Sequence, residues 1–183
     1  MNAIQIVRDS AQFPEVERIS ENQVNFYFDH SSRAYGNGTQ YMAVMVGVET
    51  QSDDLEEIKA LAMPAIKEYR IKQITDYDKS SAVNEFSYQS VPMWLDKDTR
   101  AGLKLRFEAE ETAGDENTTL WYGTQSFTLP IANAKAMLNA IEVYASKCYD
   151  KTQEHKANVL AKKKADTVIA YDFTAGYPEK LQF

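Results

Sequence analysis

The side chains that could do chemistry in this chain are few, and their spacing keeps them apart. Histidine occurs twice, as His30 in a turn-and-strand stretch and as His155 late in a helical pattern. A structural zinc site takes four donors, commonly Cys or His, and neither histidine has a second donor at helical spacing, so both read as solvated or core residues. Cys148, the only cysteine, falls on an apolar helical stripe, where a small buried hydrophobe is the usual role. No histidine or basic cluster lies near it in sequence to draw out a thiolate, and a single cysteine excludes an internal disulfide or a C-x-x-C motif. Carboxylates come in groups: Asp53/Asp54, Glu56/Glu57, Asp96/Asp98, and Glu108 with Glu110 and Glu111. Acid–base catalysis needs two carboxylates held across a cleft, whereas these fall at predicted helix starts or on exposed helix faces, where capping and solubility account for them. No Gly-x-Gly-x-x-Gly, Walker loop, Gly-x-Ser-x-Gly or His-Glu-x-x-His occurs, and Gly36-Asn37-Gly38 reads as an open turn. Residue chemistry predicts no enzyme, no catalytic or metal-binding residue and no cofactor.

Two tryptophans remain. Trp94 and Trp121 fall at comparable points of two predicted hairpins, where cross-strand packing is the ordinary role of an indole; a sugar-stacking platform would need both rings exposed. Lys162-Lys163-Lys164 closes the longest helical pattern, where positive charge complements the negative end of the helix dipole.

The elements that position these residues are legible in part. Gln23–Phe28 and Tyr41–Val48 read as strands joined by a long hairpin loop through Ser31–Gly38. Ser52-Asp53-Asp54-Leu55-Glu56-Glu57 is a helix start, and the apolar positions Leu55, Ile58, Leu61, Ala62, Ala65, Ile66 and Tyr69 give one buried face. Pro64 predicts a kink or restart near Met63, and helix continues to about Tyr77. Phe86-Ser87-Tyr88, Gln89-Ser90 and Val91–Leu95 then read as strand, two-residue turn and strand, followed by a helix capped by Asp96 or Asp98. Thr118–Tyr122, Gly123-Thr124 and Gln125–Leu129 repeat the pattern and lead into a helix from Pro130 to about Lys164. Along it Leu138, Ile141, Ala145, Cys148, Thr152, His155 and Val159 keep coiled-coil spacing, apolar in the first half only. The sequence from Ala170 to Phe183 carries Tyr171, Phe173, Tyr177 and Phe183 with a Gly and a Pro, too apolar to lie in solvent, so it must dock on its own domain or on a neighbour.

The composition is that of a globular protein: 183 residues, 44% apolar, 26% charged and a formal charge of -7. That charge opposes a phosphate backbone as partner, no apolar run approaches the ~20 residues of a membrane span, and the amino-terminal stretch lacks the pattern of a secretory signal.

Val91–Leu103, Thr118–Gly123, Met137–Ala145 with Cys148-Tyr149, and Tyr171–Leu181 together resemble a family of uncharacterised proteins from phages and prophages of gut Bacteroides and relatives. That family is similar in turn to a phage tail-associated domain of unknown function found near tail-fibre genes. The resemblance covers residues 75–183 closely and Ile6–Phe28, including Arg8–Val16, more loosely; Leu105–Glu110 departs from it in being more acidic. It implies a virion or tail-assembly role and carries over no catalytic residue.

The expectation is an α+β protein in which antiparallel hairpins pack on helices, with one long helix over 130–164 and an extended aromatic C-terminal segment. Its parts would be residues 1–77 (strands and helix) and 78–183 (hairpin–helix repeat, long helix and C-terminal segment), or one continuous body. The expected function is that of a bacteriophage virion structural protein, a tail or tail-fibre adaptor made in the host cytoplasm that contacts other phage tail proteins and itself, as a homo-oligomer, three-fold by analogy with tails. The alternatives are a tail-fibre assembly chaperone absent from the virion and a carbohydrate-binding module. Tyr171, Phe173, Tyr177, Leu181, Phe183, Thr152, His155 and Val159 are the expected interface, with no nucleic acid and no membrane as partner.

Overall fold

Alternation of polar and apolar residues sets the first sheet. The computed structural model describes residues 2–9 and 11–183; Met1 and Ser10, which fall in the amino-terminal stretch and the Arg8–Val16 motif read above, lie outside the described residues. The chain is α+β, and it forms two compact units, Met1–Thr75 with Glu154–Phe173 and Asp76–Gln153 with Thr174–Phe183. The division expected at residue 77 differs in its second part, because Val159, Ala165 and Val168 bury against the first unit's core and so return 154–173 to it.

In the first unit, β1 (Ala3–Arg8), β2 (Val16–Ser20), β3 (Gln23–Tyr35) and β4 (Gly38–Glu49) form an antiparallel sheet of order β1-β4-β3-β2. The strands β1 and β2 lie where no strand was expected. Val24, Phe26 and Phe28 point to one face opposite Val48, Val46 and Val44 and are covered by Ile58, Ala62, Ala65, Ile66 and Ile74 of α1 (Leu55–Asp78). The hairpin corrects the expected long loop: β3 runs on to Tyr35 and β4 resumes at Gly38. Polar cross-strand bonds hold that extension where no apolar alternation announces it, with the Arg33 guanidinium donating to Gln40 Oε1 and Gln40 Nε2 to Asp9. Asp54 caps α1, its carboxylate accepting from the amides of Glu56 and Glu57. The helix runs unbroken past Pro64; this residue and Ala60, whose carbonyl it leaves unbonded, are exposed, so the missing bond falls on the solvent side while buried side chains before and after it hold the axis.

On the sheet's other face, the Tyr27 hydroxyl donates to Glu17 at 2.5 Å and Arg8 Nη2 donates to the same oxygen at 2.9 Å. These bonds, Tyr27 first and Arg8 second, hold the Glu17 carboxyl below the usual carboxylate range. The folded chain thus favours the charged form, so the contribution to stability is complete above the ordinary glutamate value of about 4.3 and is lost as pH falls through the lowered folded value. Acid titration of the wild type should show this loss, and Glu17→Gln should flatten that part of the curve; superimposable curves would show that the bonds contribute nothing.

In the second unit the repeated pattern is present. β5 (Phe86–Tyr88) and β6 (Val91–Met93) pair antiparallel, α2 (Lys97–Ala113) follows, and β7 (Asn117–Tyr122) pairs with β8 (Gln125–Pro130). Asp96 caps α2 by accepting from the Thr99 amide, and Gly114 at φ 92 ends it in the left-handed conformation that glycine adopts without penalty. The two turns differ in chemistry. Gly123 has φ 60, where glycine is at ease, but the first turn places Gln89 at φ 49 and Ser90 at φ 66, the two left-handed residues of a type I′ hairpin for which Asn-Gly is preferred. Replacing Gln89-Ser90 by Asn-Gly should stabilise the second unit by about 1 kcal/mol, measured as a shift in urea midpoint; an unchanged or lower midpoint would show the strain is relieved elsewhere.

The long helix α3 spans Ile131–Ala161 and α4 spans Ala165–Ile169. Both ends of α3 correct the expectation. Pro130 belongs to β8, and the first helical amide, Ile131 N–H, donates to the Glu116 carbonyl. At the other end the helix stops before the lysines: Lys162 stacks its ammonium 4.8 Å from the Tyr171 ring centroid, and Lys164 is the N-cap of α4. These lysines fix the exit from α3 and do not complement its dipole from within the last turn.

Candidate functional site

The second half of the α3 stripe, Thr152, His155 and Val159, expected to project as interface residues, is buried by its own chain. Val159 is 0% exposed, Thr152 1% and His155 4%. In the first unit, His155 Nδ1 lies 2.8 Å from the Tyr171 hydroxyl, to which Asn158 Nδ2 also donates, and the Arg70 guanidinium faces the Phe173 ring at 5.8 Å. In the second unit, Thr152 Oγ1 donates to Asp78 Oδ1 at 2.8 Å and lies 2.9 Å from the Tyr177 hydroxyl. The polar members of the stripe are satisfied internally, so the stripe needs no second helix. Thr152, His155 and Val159 are thereby corrected from interface to core.

Residues Thr174–Phe183 dock within the second unit by strand addition. The Ser87 amide donates to the Leu181 carbonyl, the Phe183 amide to the Ser87 carbonyl, and the Gln89 amide to the Phe183 carbonyl, at 3.0, 2.9 and 2.9 Å. Ser87 and Gln182 form a parallel bridge. Tyr177 and Leu181 pack on Val83, Tyr144 and Cys148, Phe183 meets Phe86 edge-on at 5.9 Å, and Lys180 reaches Glu85. Of the expected interface set, Tyr171, Phe173, Tyr177 and Leu181 are half-buried by contacts within the chain, and Phe183 keeps 39% of its surface exposed. Burial pushes the Cys148 thiol up, away from the reactive thiolate, and the buried Tyr144 hydroxyl, also raised by burial, donates to the Val83 carbonyl at 2.7 Å.

Trp94 and Trp121 have different fates. Trp94 follows β6 and is half-buried, edge-on to Tyr144 at 6.3 Å and under the Arg100 guanidinium at 5.6 Å. Arg100 itself bridges Glu142 and the Leu95 carbonyl, so this indole is a strut between the loop before α2 and the helix α3. Trp121 on β7 is 69% exposed, against the expectation of cross-strand packing. The sequence held a signal for this: neighbouring strand residues face opposite ways, and Leu120-Trp121-Tyr122 are all apolar, so at least one must face out.

Trp121 and Tyr122 stand at the rim of an apolar pocket of about 190 Å³. Both hairpins and both helices of the second unit contribute: Tyr88 and Phe127, edge-on at 5.1 Å, with Met93, Leu103, Leu129 and Met137. This is the product of the repeat, since each hairpin turns one apolar face inward and the helix after it closes a side. The charged member of the lining is Arg106, and it is already engaged, donating to Glu110 Oε1 at 2.7 Å and to the Thr119 carbonyl at 3.1 Å. The pocket is therefore suited to an apolar group and offers little to a charged one.

Among the described residues, no group of three His, Cys, Asp or Glu is placed to hold a metal ion, and no helix is long and apolar enough to cross a membrane. His30 Nε2 lies 3.2 Å from the Tyr27 carbonyl in the first unit. No family model, curated protein or solved structure matches this chain.

Proposed function

We propose that this chain is a binding protein, a bacteriophage virion component of tail or tail-fibre adaptor type that grips another phage tail protein through the pocket of its second unit. One observation carries the reading: a pocket with an apolar lining opens beside a tryptophan that is 69% exposed. At about 190 Å³ it lies below the ~300–1,000 Å³ typical of sites for drug-sized ligands and suits one large apolar side chain used as an anchor. The resemblance to tail-associated phage proteins supplies the identity of the partner. The chaperone reading differs only in where the protein ends up. A sugar would need polar partners around the indole, and the neighbouring Arg106 is tied to Glu110 and Thr119, which favours the protein side chain.

The test is mass spectrometry of purified virions, with Trp121→Ala as the informative variant. Exposed as it is, the indole contributes within about 0.5 kcal/mol to folding, so the variant should fold normally yet enter particles at least tenfold less well. Absence of the wild-type protein from virions overturns the structural reading in favour of the chaperone. Undiminished incorporation of Trp121→Ala overturns the pocket as the contact.

A further inference from the structure

The first of the two hairpins in the second unit shows what one of its edges can hold. A two-residue turn makes the residues flanking it a hydrogen-bonded pair, and along an antiparallel ladder such pairs alternate with residues whose N–H and C=O point outward. In β5, Tyr88 flanks the turn opposite Val91, so Ser87 points its backbone outward; its partner is Pro92, a residue with no N–H to leave unpaired there. Those outward groups are filled. The Ser87 amide donates to the Leu181 carbonyl, the Ser87 carbonyl accepts from the Phe183 amide, and the Gln89 amide donates to the Phe183 carbonyl. Leu181-Gln182-Phe183 is thus a parallel third strand, bridged at Ser87 and Gln182.

The second hairpin repeats this geometry. Tyr122 flanks the turn opposite Gln125, so Trp121 stands where Ser87 stands and Gly123 where Gln89 stands. Two observations fix the direction of the backbone. The Thr119 carbonyl, two residues before Trp121, accepts from Arg106 outside the hairpin, and Pro130, opposite Asn117, again falls at an outward position. Beyond the ladder with β8, neither Trp121 nor Gly123 has a backbone bond among the described residues. β7 reads Asn-Thr-Thr-Leu-Trp-Tyr, without charge or proline to blunt it, and Arg106 covers its edge only at Thr119. This edge borders the apolar pocket. Leu120, Trp121 and Tyr122 all line it, and consecutive strand residues, which face opposite ways, share a pocket only where it opens along the strand's edge.

We propose that the partner gripped at this pocket presents an extended segment that adds to β7 as a parallel third strand, bonded to the N–H and C=O of Trp121 and to the N–H of Gly123. The inference rests on the pocket as the contact and adds the form of what enters it. The chemistry recognised is a strand of the Leu-Gln-Phe type, two apolar residues flanking a polar one. In the first hairpin Leu181 and Phe183 turn to the face of Phe86. Their equivalents turn to the face of Leu120 and Tyr122, over the pocket, and the central residue lies beside the Trp121 indole. Strand addition of this kind takes affinity from main-chain bonds and selectivity from the alternate side chains that find pockets.

Nuclear magnetic resonance of the full chain with an acetylated peptide Glu-Lys-Leu-Gln-Phe, the sequence of residues 179–183, tests it. The peptide should bind with a dissociation constant of about 1 mM or below. It should slow amide exchange at Trp121 and Gly123 while Ser87 and Gln89, already bonded, keep their rates. Methylating the peptide's Phe nitrogen, whose counterpart donates to the Ser87 carbonyl, should weaken binding at least tenfold. Methylating the Gln nitrogen, which faces away from the edge, should leave binding within about threefold. No protection of Trp121 and Gly123 at about 5 mM peptide, or equal effects of the two methylations, overturns the strand addition. Neither result touches the pocket itself, which stands or falls with the entry of Trp121→Ala into particles.

Discussion

Removing residues 174–183 is expected to lower the unfolding free energy of the second unit by about 3 kcal/mol, the order of one large core truncation. Two partly buried anchors, Tyr177 and Leu181, leave the Val83–Tyr144–Cys148 cluster together, and three backbone bonds to Ser87 and Gln89 go with them. The freedom returned to the released residues keeps the loss from being larger. Both tryptophans, Trp94 and Trp121, lie in this unit, so fluorescence during urea unfolding reports on it alone. Cys148 gives a second readout: 2% exposed in the intact chain, it should react slowly with a thiol reagent, and in the truncated chain at least tenfold faster. Equal labelling rates and equal midpoints would mean that the C-terminal segment rests on the unit without supporting it.

Arg70→Ala should cost the first unit about 3 kcal/mol. The side chain is 8% exposed and bonds Asp29 Oδ1 at 3.1 Å, Gln73 Oε1 at 2.7 Å and the Ile169 carbonyl at 2.5 Å. One guanidinium thereby ties α1 to α4 and to the irregular point of β3, where Asp29 takes φ 50 between the paired stretches ending at Phe28 and resuming at Ser31. Removing it orphans a carboxylate and a carbonyl at once, and breaking a buried pair from one side costs about 3–5 kcal/mol; the partial exposure of Asp29, 24%, places this case at the lower end. Arg70→Lys keeps the charge but loses the fork that reaches several acceptors, so it should recover less than half. Hydrogen exchange of the β3 amides is the measurement, since the first unit has no tryptophan. A loss under 1 kcal/mol in Arg70→Ala would show that water replaces the guanidinium freely.

Some of this architecture can be read from the residues and some cannot, for identifiable reasons. The α+β class, both two-residue turns and the Asp96 cap are local matters, settled by strand alternation, turn chemistry and one carboxylate. The extension of β3 and β4 through Arg33 and Gln40 is held by polar cross-strand bonds, which leave no apolar period behind. β1 takes its pairing from β4, an element distant in sequence, and β2, though its partner β3 follows after two residues, is a five-residue edge strand with no buried position to mark it. The seam on α3 misleads because a stripe that enters two separate cores has the same spacing as one that meets a second helix; the polar Thr152 and His155 looked like an unburied half, and each has its partner in a residue of the C-terminal segment, Tyr177 and Tyr171. The pocket is out of reach of sequence alone, since it exists only where two hairpins and two helices meet. Trp121 carried a partial signal in its apolar neighbours on both sides.

The chain visits its two units alternately: the first up to Thr75, the second to Gln153, the first again to Phe173 and the second from Thr174. During synthesis this delays everything. When residue 153 leaves the ribosome the sheet of the first unit still lacks Val159, Ala165 and Val168, and the hairpin β5–β6 lacks the strand that the last residues supply. Neither core can close before the residues beyond 153 have emerged, and both then depend on contacts far apart in sequence, which form slowly. Until then the apolar faces of the hairpins stay exposed, and a partly folded chain with open strands is prone to misassociate.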